Sequence, residues 1–198
     1  MAKINWKGGA LLAPLPPVMV SCGNSETGET NIITVAWTGI INTKPPKTYI
    51  SVRKSRHSHH IIKESGEFVL NLTTEALVKS ADYCGIYTGK KVDKFEKCKL
   101  TRGGASSVSC PTIEESPMSI ECRVTDVIEM ESHDMFLADI VGISVDESLL
   151  DKNGRLCLSR AGLCAFAHGE YFSLGKKLGD FGFSAAKKKK NYKDRNKK

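Results

Sequence analysis

The chain has 198 residues, of which 40% are hydrophobic and 26% charged, which suits one globular core rather than two. The formal net charge of +7 would suggest a polyanion partner, but "KKKKNYKDRNKK" at 187–198 holds eight basic residues and one acidic one, so the tail carries the whole excess. The remaining body is neutral. The charge is therefore poor evidence for a nucleic-acid function, since the body offers no basic surface by composition and no recognisable module, and nucleic acid is not an expected partner. The expected division is a folded domain over 1–186 and a solvated basic tail over 187–198.

The N-terminal segment "MAKINWKGGALLAPLPPVMV" has neither a continuous apolar stretch nor a cleavage site of signal-peptide type. A cytoplasmic protein with no membrane association is expected. "PVMVSC" reads as a first strand and "GNSETGET" as a turn. Residues 31–39, "NIITVAWTG", read as the next strand, with Ile33, Val35 and Trp37 on a buried face. The opposite face carries only Thr34, Ala36 and Thr38. A covering layer usually meets larger groups, so a flat ligand is one expectation there and tight sheet packing is the other. "NTKPPK" should interrupt the ladder at its prolines. "TYISVR", "FVLNL", 119–128 and 135–145 read as further strands, with "EMESHD" a hairpin connection and Asn153-Gly154 a tight turn.

Helices are few. Ser58 is expected to cap "HHIIKES", which Gly66 would end. Thr73 or Thr74 would cap "EALVKSADYC", with Leu77, Ala81 and Cys84 on one face, and "VDKFEKC" could form one short turn. Many strands with helices confined to the connections predict a mainly β protein, an antiparallel barrel with peripheral helices.

The seven cysteines form no CxxC and are expected to be free and mostly buried. The familiar nucleotide and hydrolase fingerprints, GxGxxG, GxxxxGK[ST], HExxH and GxSxG, are absent. An anion site is nevertheless suggested by "YISVRKSRHSHHII". Ser51 and Arg53 lie two apart on one strand face, about 6.6 Å from each other. A hydroxyl and a planar guanidinium at that spacing can hold one phosphate. Ser58 then opens a helix whose free N–H groups attract anions, and Arg56 adds charge. The competing interpretation pairs Arg53 with a carboxylate across the sheet and leaves Ser58 as a cap. His57, His59 and His60 are expected to face solvent rather than a metal, because 59 and 60 point in different directions.

"NIITVAWTG", "KPPKTYISVRKSRHSHHII", "GEFVLNL", "DYCGIYTGKKVDKFE", "EESPMSIECRV", "SHDMFLADIV" and "HGEYFSLGKKLGDFGFS" together resemble the flavin reductase-like family, which includes flavoredoxins. The resemblance runs in order from about Trp6 to Phe183. It implies an FMN-binding split β-barrel of antiparallel Greek-key type, a homodimer, and FMN held near the subunit interface. It implies that Asn31, Ile33, Thr34, Val35, Ala36 and Trp37 border the isoalloxazine. Ser51, Val52, Arg53 and Ser58 would contact its phosphate side, with further contributions from Asn71, Lys90 and Lys94, and His168 would approach the flavin. Lys94→Ala is expected to weaken FMN binding less than Arg53→Ala. The implied activity is an oxidoreductase reduced by NAD(P)H that passes electrons to flavin or another acceptor. The alternative is a flavoredoxin-type carrier reduced by a protein donor.

Overall fold

A computed structural model describes residues 1–185, and the basic tail at 187–198 lies outside the described residues. In chain order the strands and helices are β1 (Val18–Asn24), β2 (Glu29–Val35), β3 (Thr38–Thr43), β4 (Pro46–Arg53), α1 (His57–Ser65), β5 (Glu67–Leu72), α2 (Val78–Ile86), α3 (Lys94–Cys98), β6 (Arg102–Gly103), β7 (Thr112–Ile113), β8 (Met118–Glu129), β9 (His133–Val145), β10 (Cys164–Ala167) and β11 (Glu170–Ser173). Seven strands form one antiparallel sheet in the order β2-β1-β5-β8-β9-β4-β3, and two short hairpins, β10-β11 and β6-β7, stand apart.

The edge strands β2 and β3 are consecutive in the chain, separated only by Ala36 and Trp37. At that step the chain crosses from one end of the sheet to the other. The Ser51 N–H donates to the Trp37 carbonyl at 2.9 Å, so the sheet curls closed there. Elsewhere β2 and β4 are not laddered, and the barrel is split between them. The fold is a mainly β split barrel, as the sequence patterns and the resemblance lead one to expect.

The barrel interior is built from Val18, Val20, Ile33, Val35, Ile50, Val52, Phe68, Leu70 and Phe136, with Ile61 and Ile62 of α1 packed into it. A second apolar layer lies outside the barrel, where Leu77, Ala81 and Cys84 around α2 and Phe95 of α3 cover Met19 and Ile32. Strands β1 and β2 are therefore buried on both faces, which explains the unbroken apolar run at the start of β1. Thr34 is small because α2 comes close: a Cβ on Gly85 would sit 3.4 Å from the Thr34 Cβ, and the Thr34 hydroxyl donates to the Ala81 carbonyl. At Thr34 the close packing of α2 is by itself enough to account for the small side chain.

Two further expectations are corrected. The prolines do not stop the ladder, because β4 starts at Pro46, which pairs with Thr43 at the tip of an edge hairpin. Trp37 is not on the buried face: β2 ends at Val35, and the Trp37 side chain turns outward with 47% of its surface exposed. Gly66 ends α1 in the left-handed conformation, as expected of a glycine C-cap. All seven cysteines are free. No helix among the described residues is long and apolar enough to cross a membrane.

Candidate functional site

The split between β2 and β4 opens into two adjoining hollows. The outer one, about 390 Å³, is lined by Ile33, Thr34, Val35 and Trp37 on one side and by Ser51, Val52, Arg53, Arg56 and His133 on the other. The inner one, about 180 Å³, lies under the start of α1 and the loop after α2. Ile33, Arg53 and Arg56 belong to both walls. Ser51 lines the outer hollow and Ser58 the inner one, so they do not share one grip; Arg53 joins the two.

Arg53 is placed by β4, opposite His133 of β9, and the ion pairs among the described residues do not include it. The alternative of a cross-sheet carboxylate partner therefore does not hold. The carboxylate beside His133, Asp134, is taken by His59 at 2.8 Å and Lys54 at 3.2 Å. Burial opposes ionisation of Asp134, but the bonds from His59 and Lys54 prevail and hold its carboxyl below the usual range. Burial, with Arg53 adding to it, keeps the His133 imidazole below its ordinary pKa, so the ring beside Trp37 in the outer hollow favours its neutral form.

Ser58 does not cap α1. Arg56 occupies the cap position, without a side-chain bond, and Ser58 sits inside the first turn, fully buried. Its hydroxyl accepts from Asn31 Nδ2 at 2.8 Å. This bond ties β2 to α1 and fixes one wall of the inner hollow. The facing wall is Thr88-Gly89. Gly89 permits the close approach, since a Cβ there would lie 2.3 Å from Asn31 Oδ1 and 2.6 Å from His57 Cδ2.

The most informative side chain is Lys94. It begins α3, yet it is 4% exposed and lines the inner hollow. Its ammonium donates to the Ile32 carbonyl at 2.6 Å and the Cys84 carbonyl at 2.8 Å. An ammonium has three protons, and no carboxylate among the described residues meets this one. Burial pushes its pKa down, helped by Arg56, although neighbouring thiols oppose the shift. Cys84 is itself held protonated by burial, its pKa pushed up to about 12, so it brings no thiolate to the lysine. A buried cation that shares a hollow with Arg53 and Arg56, with one donor unused among the described residues, has the chemistry to receive an anion.

Other expected residues fall elsewhere. Asn71 is fully buried and committed: its Nδ2 donates to the Met19 carbonyl and the Ser21 hydroxyl, and its Oδ1 accepts from Ile113 N–H and the Ser119 hydroxyl. It lines neither hollow. Lys90 is exposed on the loop above the inner hollow. Ala36 borders a third depression, about 280 Å³, between β2, α2 and the β10-β11 hairpin. His168 is exposed at the turn of that hairpin.

The histidines differ most from expectation. His59 is 8% exposed and bonded to Asp134. His57 is largely covered and lines the inner hollow, and both His57 and His60 reach Glu29, at 2.9 and 3.2 Å. In the sequence, Tyr87, Thr88 and Gly89 stood out only within the motif "DYCGIYTGKKVDKFE" and were not among the expected site residues. Their only local signal was the glycine, because the contact that needs it joins segments far apart in the chain.

Comparison with known proteins agrees with this fold. Residues 12–174 match the family model described as a flavin reductase like domain. The flavoredoxin of Desulfovibrio vulgaris (Miyazaki F) superposes with a TM-score of 0.86 at 33% identity, covering 94% of this chain and 100% of that one. Flavoredoxin from Methanosarcina acetivorans gives 0.82 at 25% identity, again covering 94% of this chain and 100% of that one. An uncharacterized protein of Archaeoglobus fulgidus is 30% identical over 71% of this chain and 77% of its own length. A split barrel matched along nearly its whole length by that family model and by flavoredoxin structures has one consistent placement: the chain belongs to the flavin reductase-like family, with a flavin-related oxidoreductase role.

Proposed function

We propose that the protein binds FMN across the two hollows and acts as an FMN-dependent oxidoreductase that takes hydride from NADH or NADPH and passes the electrons to flavin or another acceptor. The observation that carries this reading is Lys94, a buried ammonium with two carbonyl partners and no carboxylate among the described residues. A phosphate monoester supplies the missing counter-charge. Lys94, Arg53 and the first N–H groups of α1 would hold it, with Arg56 and Lys90 adding positive potential. The hollow, about 180 Å³ and bounded on facing sides by Asn31 with Ser58 and by Gly89, has room for an anion.

The outer hollow is larger and apolar on its β2 side, and it is the part we assign to the isoalloxazine, bordered by Ile33, Thr34, Val35, Trp37, Ser51 and Val52. Bound FMN supplies the two-electron chemistry, and the chain supplies binding, orientation and exclusion of water. Trp37 and His133 flank the solvent side of that hollow, where a reduced nicotinamide would have to approach. A nearby FMN reductase (NADH) of Agrobacterium fabrum, 20% identical over 58% of this chain, supports the nicotinamide donor. The exposed apolar side chains of Trp37, just before the edge strand β3, and of Ile40 and Ile41 within it form the face we assign to a second copy in a homodimer.

The likeness to two flavoredoxins favours one second reading, an electron carrier reduced by a protein donor. Anaerobic addition of NADH or NADPH to the FMN-loaded protein decides between them. Bleaching of the flavin absorbance by either nucleotide supports the enzyme. Bleaching by reduced ferredoxin with no response to nicotinamides selects the carrier. No flavin retained at all would sink both.

A further inference from the structure

We propose that Glu29, His57 and His60 form a binding site for a borderline divalent transition-metal ion of the Zn²⁺ class. His57 and His60 are three apart on α1, so their rings stand on one face of the first turn, with centroids 5.1 Å apart. Glu29 opens β2 opposite them. Its two oxygens meet the two Nε2 atoms at 2.9 and 3.2 Å, and one donor atom from each residue lies within 4.8 Å of the others. A tetrahedral ion with bonds near 2.1 Å spaces its ligands about 3.4 Å apart, so small rotamer shifts bring all three donors into range.

Two imidazoles and one carboxylate are the donor set of an open three-ligand site, with the fourth position left to water. Nitrogen donors select zinc-class ions over Mg²⁺ or Ca²⁺. The His57 side chain is largely covered, while those of His60 and Glu29, at 42% and 36% exposure, leave an entry path.

Two features limit affinity. The nearby cations Arg56, Lys90 and Lys94 oppose a second positive ion. The His57 Nδ1 is buried without a hydrogen-bond partner, so the outer acceptor that usually orients a ligating histidine is missing. Loss of such a partner weakens a site by about 10–100-fold.

The site stands independently of flavin. It is tested on flavin-free, full-length protein with no affinity tag, stripped by chelator and kept reduced. Titration with Co²⁺ is expected to give visible d–d bands saturating at one equivalent. Zn²⁺ should displace the Co²⁺. His60→Ala and Glu29→Gln, both at solvent-accessible positions, should each weaken binding about tenfold or more while leaving the apo melting temperature unchanged. Absence of saturable Co²⁺ binding overturns the proposal, as does binding that neither substitution changes. A thiolate-to-metal charge-transfer band also overturns it, since that would point to Cys84 and Cys98, whose sulfurs lie 3.9 Å apart.

Discussion

Asn71 and Lys94 are almost equally sealed from solvent, at 0% and 4% exposure, yet their surroundings differ in kind. Around Asn71 each amide atom is matched: carbonyl, hydroxyl and N–H partners come from β1, β7 and β8. Around Lys94 two carbonyls are present, but among the described residues the charge has no opposite and a third proton has no acceptor. A satisfied polar node belongs to the architecture. A buried charge left incomplete points to a partner that arrives later.

The largest effect should come from Lys94→Met. Removing one side of a buried charge pair costs about 3 kcal/mol, so FMN affinity should fall about a hundredfold. The apo protein should melt at nearly the same temperature, because relief of the buried charge offsets the two lost bonds. Titration by flavin fluorescence and thermal melts check the two halves separately. Asn71→Ala should do the reverse. It leaves the Ile113 N–H and the Ser119 hydroxyl unmatched, which lowers stability by about 2 kcal/mol, while FMN affinity of the folded protein stays unchanged. If Asn71→Ala lowered affinity without lowering stability, the two residues would have to exchange roles.

Arg53→Ala should weaken FMN about tenfold, less than Lys94→Met, because the Arg53 side chain is exposed and its bond to phosphate competes with water. This reverses the order that the sequence pattern suggests. Gly89→Ala should act through shape alone. Its new methyl must displace Asn31 or His57, so affinity should drop by a similar factor with no change in charge.

The smallest effect is one of pH. In the apo protein the folded pKa of Lys94 is lowered below its unfolded value of about 10.4. Between those two values the unfolded chain holds the extra proton, so stability should rise with pH through that alkaline window. Lys94→Met should remove the rise. Denaturant titrations at a series of alkaline pH values measure it.

The barrel was legible because its evidence is local. Period-two runs marked β4, β5, β8 and β9, Gly66 marked a helix end, and Leu77, Ala81 and Cys84 marked the covered face of α2. The site was legible only in part. Ser51 and Arg53 share a strand face, and adjacency suffices to see it. Lys94 meets Ile32 from 62 residues away, and Ser58 meets Asn31 from 27 away. No pattern within one element announces such pairings. Trp37 was misplaced because period two was carried past Val35, where the strand stops and the chain crosses to the other sheet edge. His57 and His60 were missed as partners because their meeting point, Glu29, lies on another element.

The central claim is that the inner hollow is built for a phosphate monoester. Its most direct test is the affinity of the parent protein for FMN against riboflavin, which shares the ring system and lacks the phosphate. The account predicts that FMN binds about a hundredfold more tightly, and that Lys94→Met erases most of the difference. Equal affinity for the two flavins in the parent protein would contradict it.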